Sequence, residues 1–166
     1  MTGSAHAIPF SAGTPELREY QSAIRDGRST PYSFLRLLGI AKPDPVGLVR
    51  EVERGLPYRA FDRLERSSGL STQELALVAD IPMRTLHRRR AQGRLDRGES
   101  DRLVRFGRVF GRALELFEGD VDAARQWLSR PLPALADHRP IDLARTDVGT
   151  REVELLIGRL EHGVVS

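Results

Sequence analysis

Apolar positions along this chain recur every three to four residues, and nothing alternates with period two over a useful length. That pattern predicts helices throughout and no strands. A first helix is expected from Thr14-Pro15, where proline suits the first helical turn, with Leu17, Tyr20, Ala23 and Ile24 on one face and Asp26-Gly27 as its stop. Pro31 to Leu38 is a second candidate helix, closed by Gly39. Asp44 can cap a third that runs to about Arg54 and carries Val46, Val49 and Val52. Residues 58–66 follow with Phe61 and Leu64 inward, before Gly69-Leu70 interrupts. Residues 1–15 lack any period and read as a loose arm.

The next stretch, from Ser71 to Arg90, is the most informative. Ser71 with Glu74 three residues on is a capping box, which satisfies two backbone donors at a helix start. Leu75, Ala76 and Ala79 make a narrow apolar face, and the small residue at 76 lets a second helix cross closely. Asp80 sits at the turn, a position that tolerates Asp better than most residues. Pro82 is expected at the first position of the following helix, with Leu86 pointing back at the first. Two short helices, a tight turn and a buried small residue at the crossing describe a helix-turn-helix. With Leu86 inward, a 100° step per residue turns Arg84, Thr85, Arg88 and Gln92 outward. Arg84, Thr85 and Arg88 are then expected to face base edges in a major groove. Arg89, Arg90 and Arg94 are expected to meet phosphates, with His87 on the flank. Thr72 and Gln73 would reach a phosphate from the start of the first helix.

Charge supports this placement. The net is only +3, yet residues 82–112 hold ten basic and three acidic residues, while residues 113–166 hold six basic and ten acidic. All but one of the 26 basic residues are arginine, Lys42 being the exception. A GC-rich coding bias accounts for the scarcity of lysine but not for the clustering. An arginine-rich solvated face on an ordinary bundle is the plainer alternative. A concentrated basic segment on a helix-turn-helix pattern favours DNA.

Composition narrows the rest. There is no cysteine, hence no disulfide and no thiol chemistry. The four histidines, at 6, 87, 138 and 162, show no metal-ligand spacing. No glycine-rich phosphate loop is present, so neither a cofactor nor an enzyme activity is expected. No apolar run is long enough to span a membrane, and the first residues do not resemble a secretory signal. A cytoplasmic protein is the expectation.

Beyond the basic segment, Leu103, Phe106, Val109, Phe110, Ala113, Leu114 and Phe117 predict a long helix over about 99–117, the spine of the fold. Asp120 caps a further helix with Val121, Ala124, Trp127 and Leu128, in which Trp127 is expected to be a core anchor. A short element at Pro140–Leu143 precedes a last helix, starting near Thr146 or Thr150 and lined by Val153, Leu156, Ile157 and Leu160, and Gly163 ends it.

Here the chain resembles a known family. Phe117-Glu118-Gly119-Asp120, Ala123-Ala124-Arg125-Gln126-Trp127-Leu128, Pro133-Ala134-Leu135, Pro140-Ile141-Asp142-Leu143, Thr146-Asp147-Val148-Gly149 and Arg159-Leu160-Glu161-His162-Gly163-Val164-Val165-Ser166 resemble the toxin-binding domain of the Xre/MbcA/ParS antitoxins. The preceding Arg84 to Arg89 and Leu95 to Phe106 look like that family's Xre-type helix-turn-helix. Two departures stand out. Ala136-Asp137 replaces the usual Gly-Gly, and Val-Val-Ser replaces a frequent Val-Phe-Ser at the end. The resemblance implies a type II antitoxin that neutralises an NAD-consuming RES-domain toxin, or a related ADP-ribosylating toxin, by covering its active site. It also implies repression of the protein's own operon through operator DNA. On that reading Arg159, His162, Gly163, Val164, Val165 and Ser166 reach the toxin, and the acidic last third would suit a basic cleft.

The expected fold is all-α: a helical bundle with a helix-turn-helix and a C-terminal helical toxin-binding domain. Residues 1–45 would form an N-terminal arm and helical segment, 46–112 the DNA-binding domain and 113–166 the toxin-binding domain. A homodimer is expected, because one helix-turn-helix reads few bases and two-fold operators match two-fold proteins. The alternative is a stand-alone transcriptional regulator whose C-terminal region dimerises or senses a ligand.

Overall fold

The computed structural model describes residues 13–41 and 44–164. Among these, nine α-helices and two 3₁₀ turns follow one another, with only two isolated β-bridges. Most helix starts follow from their caps. Thr14 accepts from the backbone of Leu17 to open α1 (Pro15–Arg25), and Asp44 accepts from Val46 and Gly47 to open α2 (Pro45–Arg54). α3 (Arg59–Ser68) buries Phe61 and Leu64 completely. Capping boxes start both α4 (Thr72–Val78) and α6 (Arg97–Leu116), and between them lies α5 (Met83–Gln92). α7 (Val121–Ser129) is capped by Asp120, α8 (Pro140–Leu143) is a single turn, and Thr146 caps α9 (Asp147–Glu161).

α6 is the spine. Its twenty residues bury Leu103, Phe106, Val109, Phe110, Ala113 and Leu114. The 3₁₀ turn Ser33–Leu38 packs on one side of it and α9 on another, while α7 leans on its C-terminal half. Trp127 is buried against this core and tilts on Phe117 with ring centroids 6.3 Å apart. Tyr20 ties α1 to the spine: its hydroxyl shares its hydrogen between the carbonyl of Gly111 (3.1 Å) and Glu115 (2.9 Å). Burial first, and the neighbouring Glu115 second, push this phenol far above its ordinary range.

Two local expectations change, and a third element is more open than the rest. Pro31–Leu38 is not an α-helix but a tighter 3₁₀ turn, which packs Phe34, Leu35, Leu37 and Leu38 inward within six residues. Pro82 caps α5 from outside rather than standing at its first position. α2 buries none of its residues, and Val46 and Val49 are 61% and 57% exposed. Leu48 packs partly against the core while these valines stay open, so periodicity marks a helix's apolar face but not how far a neighbour covers it.

Ala136 and Asp137, which stand where the resembling family usually has glycines, both adopt positive φ (51° and 60°). A left-handed alanine costs about 1–2 kcal/mol relative to glycine in the folded state, partly offset by the greater freedom glycine has when unfolded. Ala136→Gly is therefore expected to raise the melting temperature by about 2 °C, as read by thermal circular dichroism.

Candidate DNA and toxin interfaces

The helix pair is built as its sequence requires. Leu75, Ala76, Ala79 and Leu86 are buried where α4 and α5 meet. Asp80 takes the left-handed conformation (φ 52°), and the N–H of Ile81 donates to the carbonyl of Ala76 at 2.8 Å to close the turn. The capping box is complete: Ser71 Oγ accepts from the N–H of Glu74, and Glu74 accepts from the N–H of Ser71. Those bonds to Ser71 hold the Glu74 carboxyl below its ordinary range.

The outward face of α5 divides into free and committed arginines. Arg84, Arg88 and Arg90 are exposed with no hydrogen bond or ion pair among the described residues, as are His87 and Gln92 apart from one contact of Gln92 with Arg89. Thr85 is half-buried. Arg89 is different. Its Nε donates to both carboxylate oxygens of Glu99 (3.1 and 2.8 Å) and its Nη2 to Asp96 (2.9 Å). The Glu99 carboxylate, the largest influence, raises the Arg89 guanidinium above the ordinary arginine value. Only 5% of the Glu99 side chain is exposed, and the same carboxylate completes the box that starts α6. Arg89, expected to meet a phosphate, thus fastens α5 to α6 and has its guanidinium engaged by protein carboxylates. Arg94 is likewise engaged, with Nη1 donating to the carbonyl of Gly55 at 2.5 Å. Thr72 donates its hydroxyl to Glu65, while Gln73 remains exposed at the start of α4.

Removing Arg89 would leave Glu99 without its partner in a nearly enclosed position. Because Arg89 itself is partly open to water, we expect Arg89→Ala to cost about 1.5 kcal/mol rather than the larger figure for a fully buried pair. Urea unfolding would read that loss.

Arg102 had no signal of its own in the sequence. From α6 it donates Nε to the carbonyl of Ala79 (2.6 Å), while its Nη2 approaches that of Asp80 (3.5 Å), bracing the turn from behind.

At the other end of α6, three arginines face three carboxylates of α9. Arg105 lies 3.9 Å from Asp147, Arg108 Nε 2.5 Å from Glu154, and Arg112 Nη2 2.9 Å from Glu161. The carboxylates are seven residues apart and so share one helix face. Val153, Leu156 and Ile157 pack beneath them. Arg159, His162, Gly163 and Val164 are exposed, whereas Val165 and Ser166 lie outside the described residues. The structure therefore presents the α5 face and the end of α9 as separate surfaces carried by one helix.

Comparison with known proteins matches two family models along the chain. Residues 47–108 match the Antitoxin Xre-like helix-turn-helix domain, and residues 112–163 the Antitoxin Xre/MbcA/ParS C-terminal toxin-binding domain. An "Antitoxin Xre" of Yersinia enterocolitica is 37% identical over 132 residues, 79% of this chain and 89% of that protein. One of Photorhabdus laumondii is 37% identical over 116 residues, 69% of this chain and 78% of its own length. The chain belongs to the Xre antitoxin family. A more distant "Antitoxin Xre" of Pseudomonas putida is 33% identical over 84 residues, half of this chain and 52% of that protein. In this Xre-family antitoxin the two matched segments meet near the middle of α6, so one continuous helix joins the DNA-binding and toxin-binding parts. No helix among the described residues is long and apolar enough to cross a membrane.

Proposed function

We propose that this antitoxin neutralises an NAD-consuming RES-type toxin by covering its active site with its C-terminal region, and represses its own operon through the helix-turn-helix. The observation that carries this reading is the shared spine: α6 is tied at one end to α5 with its free arginines and at the other to α9 of the toxin-binding segment. The protein acts by binding rather than by catalysis, in the cytoplasm. Arg84, Thr85 and Arg88 read bases, and Arg90 and His87, with Gln73 from α4, approach the backbone. Arg159, His162, Gly163 and Val164, with the terminal Val165 and Ser166, contact the toxin. The working form is a homodimer, which presents two reading helices to a two-fold operator. Residues 46–112 serve the DNA and 113–166 the toxin.

Co-expression tests this. The neighbouring toxin gene alone should arrest growth and deplete NAD, and this chain should restore both. Growth arrest that persists with the antitoxin present would refute neutralisation and favour a stand-alone regulator. A toxin that arrests growth without lowering NAD would refute the RES assignment alone.

A further inference from the structure

α9 sorts its charges by face. Glu154 and Glu161 turn inward and are neutralised by Arg108 and Arg112 of α6. Asp147 lies between Arg105 at 3.9 Å and Arg151 at 3.5 Å. Three of the four carboxylates of α9 are thus engaged within the molecule, and Glu152 is the one left exposed on its outer side.

That outer side carries something else. Val148 is 73% exposed and Leu155 60% exposed. At 100° per residue they fall within about 20° of one line, continued by Arg159 and His162. Arg151 and Arg159 stand one turn before and one turn after Leu155, bracketing it, and Glu152 lies at the far edge. Arg159 makes no ion pair among the described residues, and that of Arg151 is fully at the surface. Gly158 flanks the same line. A Cβ added there would meet nothing within 4 Å, so no neighbour among the described residues requires the glycine. Glycine inside a helix nevertheless costs about 1 kcal/mol relative to alanine. Its absent side chain does leave room for another backbone to come close.

We propose that the toxin docks lengthwise on this stripe, Val148–Leu155–Arg159, through an apolar strip bordered by carboxylates. This rests on the antitoxin reading above and extends the contact from the tail to the full length of α9. The occupant is the toxin rather than a second copy because the stripe lies within the segment matched to the toxin-binding domain. It also changes the expected chemistry of the partner. Where the acidic composition suggested a basic cleft, the displayed arginines call for acidic groups around an apolar strip.

The test uses the full chain and the purified product of the adjacent toxin gene, with binding measured by calorimetry. Leu155→Glu is a helix-compatible change that can pair with Arg151 and Arg159. It should raise the Kd at least tenfold while the melting temperature and operator gel shift stay as in the parent. Arg151→Glu with Arg159→Glu should also weaken binding at least tenfold, and the difference from the parent should shrink in high salt. Parental affinity in Leu155→Glu would overturn the docking surface. Tighter binding by the double variant would overturn the carboxylate border. If Leu155→Glu abolished self-association instead and left toxin affinity intact, the stripe would be a dimer face and the proposal wrong. Failure of the parent chain itself to bind would overturn the antitoxin reading and this surface together.

Discussion

Gly149→Ala is expected to lower stability by about 3 kcal/mol and to weaken toxin neutralisation while leaving operator binding in place. A Cβ at 149 would sit 2.0 Å from the carbonyl oxygen of Leu143 and 2.7 Å from its carbon, with Thr146 Oγ1 at 2.9 Å. The first two are backbone atoms, which no rotamer change can move. Two effects compete. Alanine improves helix propensity over glycine by about 1 kcal/mol, whereas forcing atoms into a filled site costs about 1–3 kcal/mol and more when the obstacle is backbone. A contact of 2.0 Å puts this site at the upper end, so overpacking wins. Relief requires α9 to move away from α8, and the Thr146 cap would be disturbed with it, since Thr146 Oγ1 accepts from the N–H of Gly149 at 3.0 Å. The outer stripe of α9 would shift as a unit. For a chain of this size the melting temperature should fall by about 8 °C. A variant that melts with or above the parent would show that propensity dominates and that the close approach is easily relaxed.

The motif containing Gly149 shows how much of this molecule can be read from its residues. Thr146-Asp147-Val148-Gly149 stands out in the sequence as part of a family pattern, but its reason is tertiary: a carbonyl from the preceding turn occupies the space of a side chain. The helices themselves are legible because their signals are local. Thr14, Asp44, Ser71, Asp120 and Thr146 each cap the helix that follows them. The burial of Leu86 and of the α6 stripe follows from period alone. What local signals do not encode is the partner of an outward side chain. Arg89 and Arg94 look like Arg88 in sequence, and only the folding of Glu99 and Gly55 against them separates structural from free arginines. The exposed valines of α2 show the same limit from the apolar side. The α6–α9 ladder lies between these cases. Carboxylates at 147, 154 and 161 share a seven-residue spacing that is visible in the sequence, yet nothing local says that Arg105, Arg108 and Arg112 face them.

That separation among the arginines sets the second large effect. Replacing both Arg84 and Arg88 by alanine should weaken operator binding by about 3 kcal/mol per protomer, more than about 100-fold, with no loss of stability. Both side chains are exposed on α5, opposite the buried Leu86, and neither forms a hydrogen bond or ion pair among the described residues, so the fold should depend little on them. A forked contact to a guanine edge contributes about 1–3 kcal/mol of discrimination. The double variant should therefore lose preference for the operator over random DNA as well as affinity. Arg90→Ala should behave differently. It lies toward the flank of α5, and losing a phosphate contact there would weaken all DNA about equally and lower the salt dependence by about one unit. Fluorescence anisotropy on operator and scrambled duplexes across a salt series distinguishes the two. If the double variant lost only salt-dependent affinity and kept its preference, α5 would be holding the backbone and the bases would be read elsewhere. Arg89→Ala supplies the control from within the same helix. Its effect on DNA should follow its loss of stability, because its guanidinium is paired with Glu99 and Asp96.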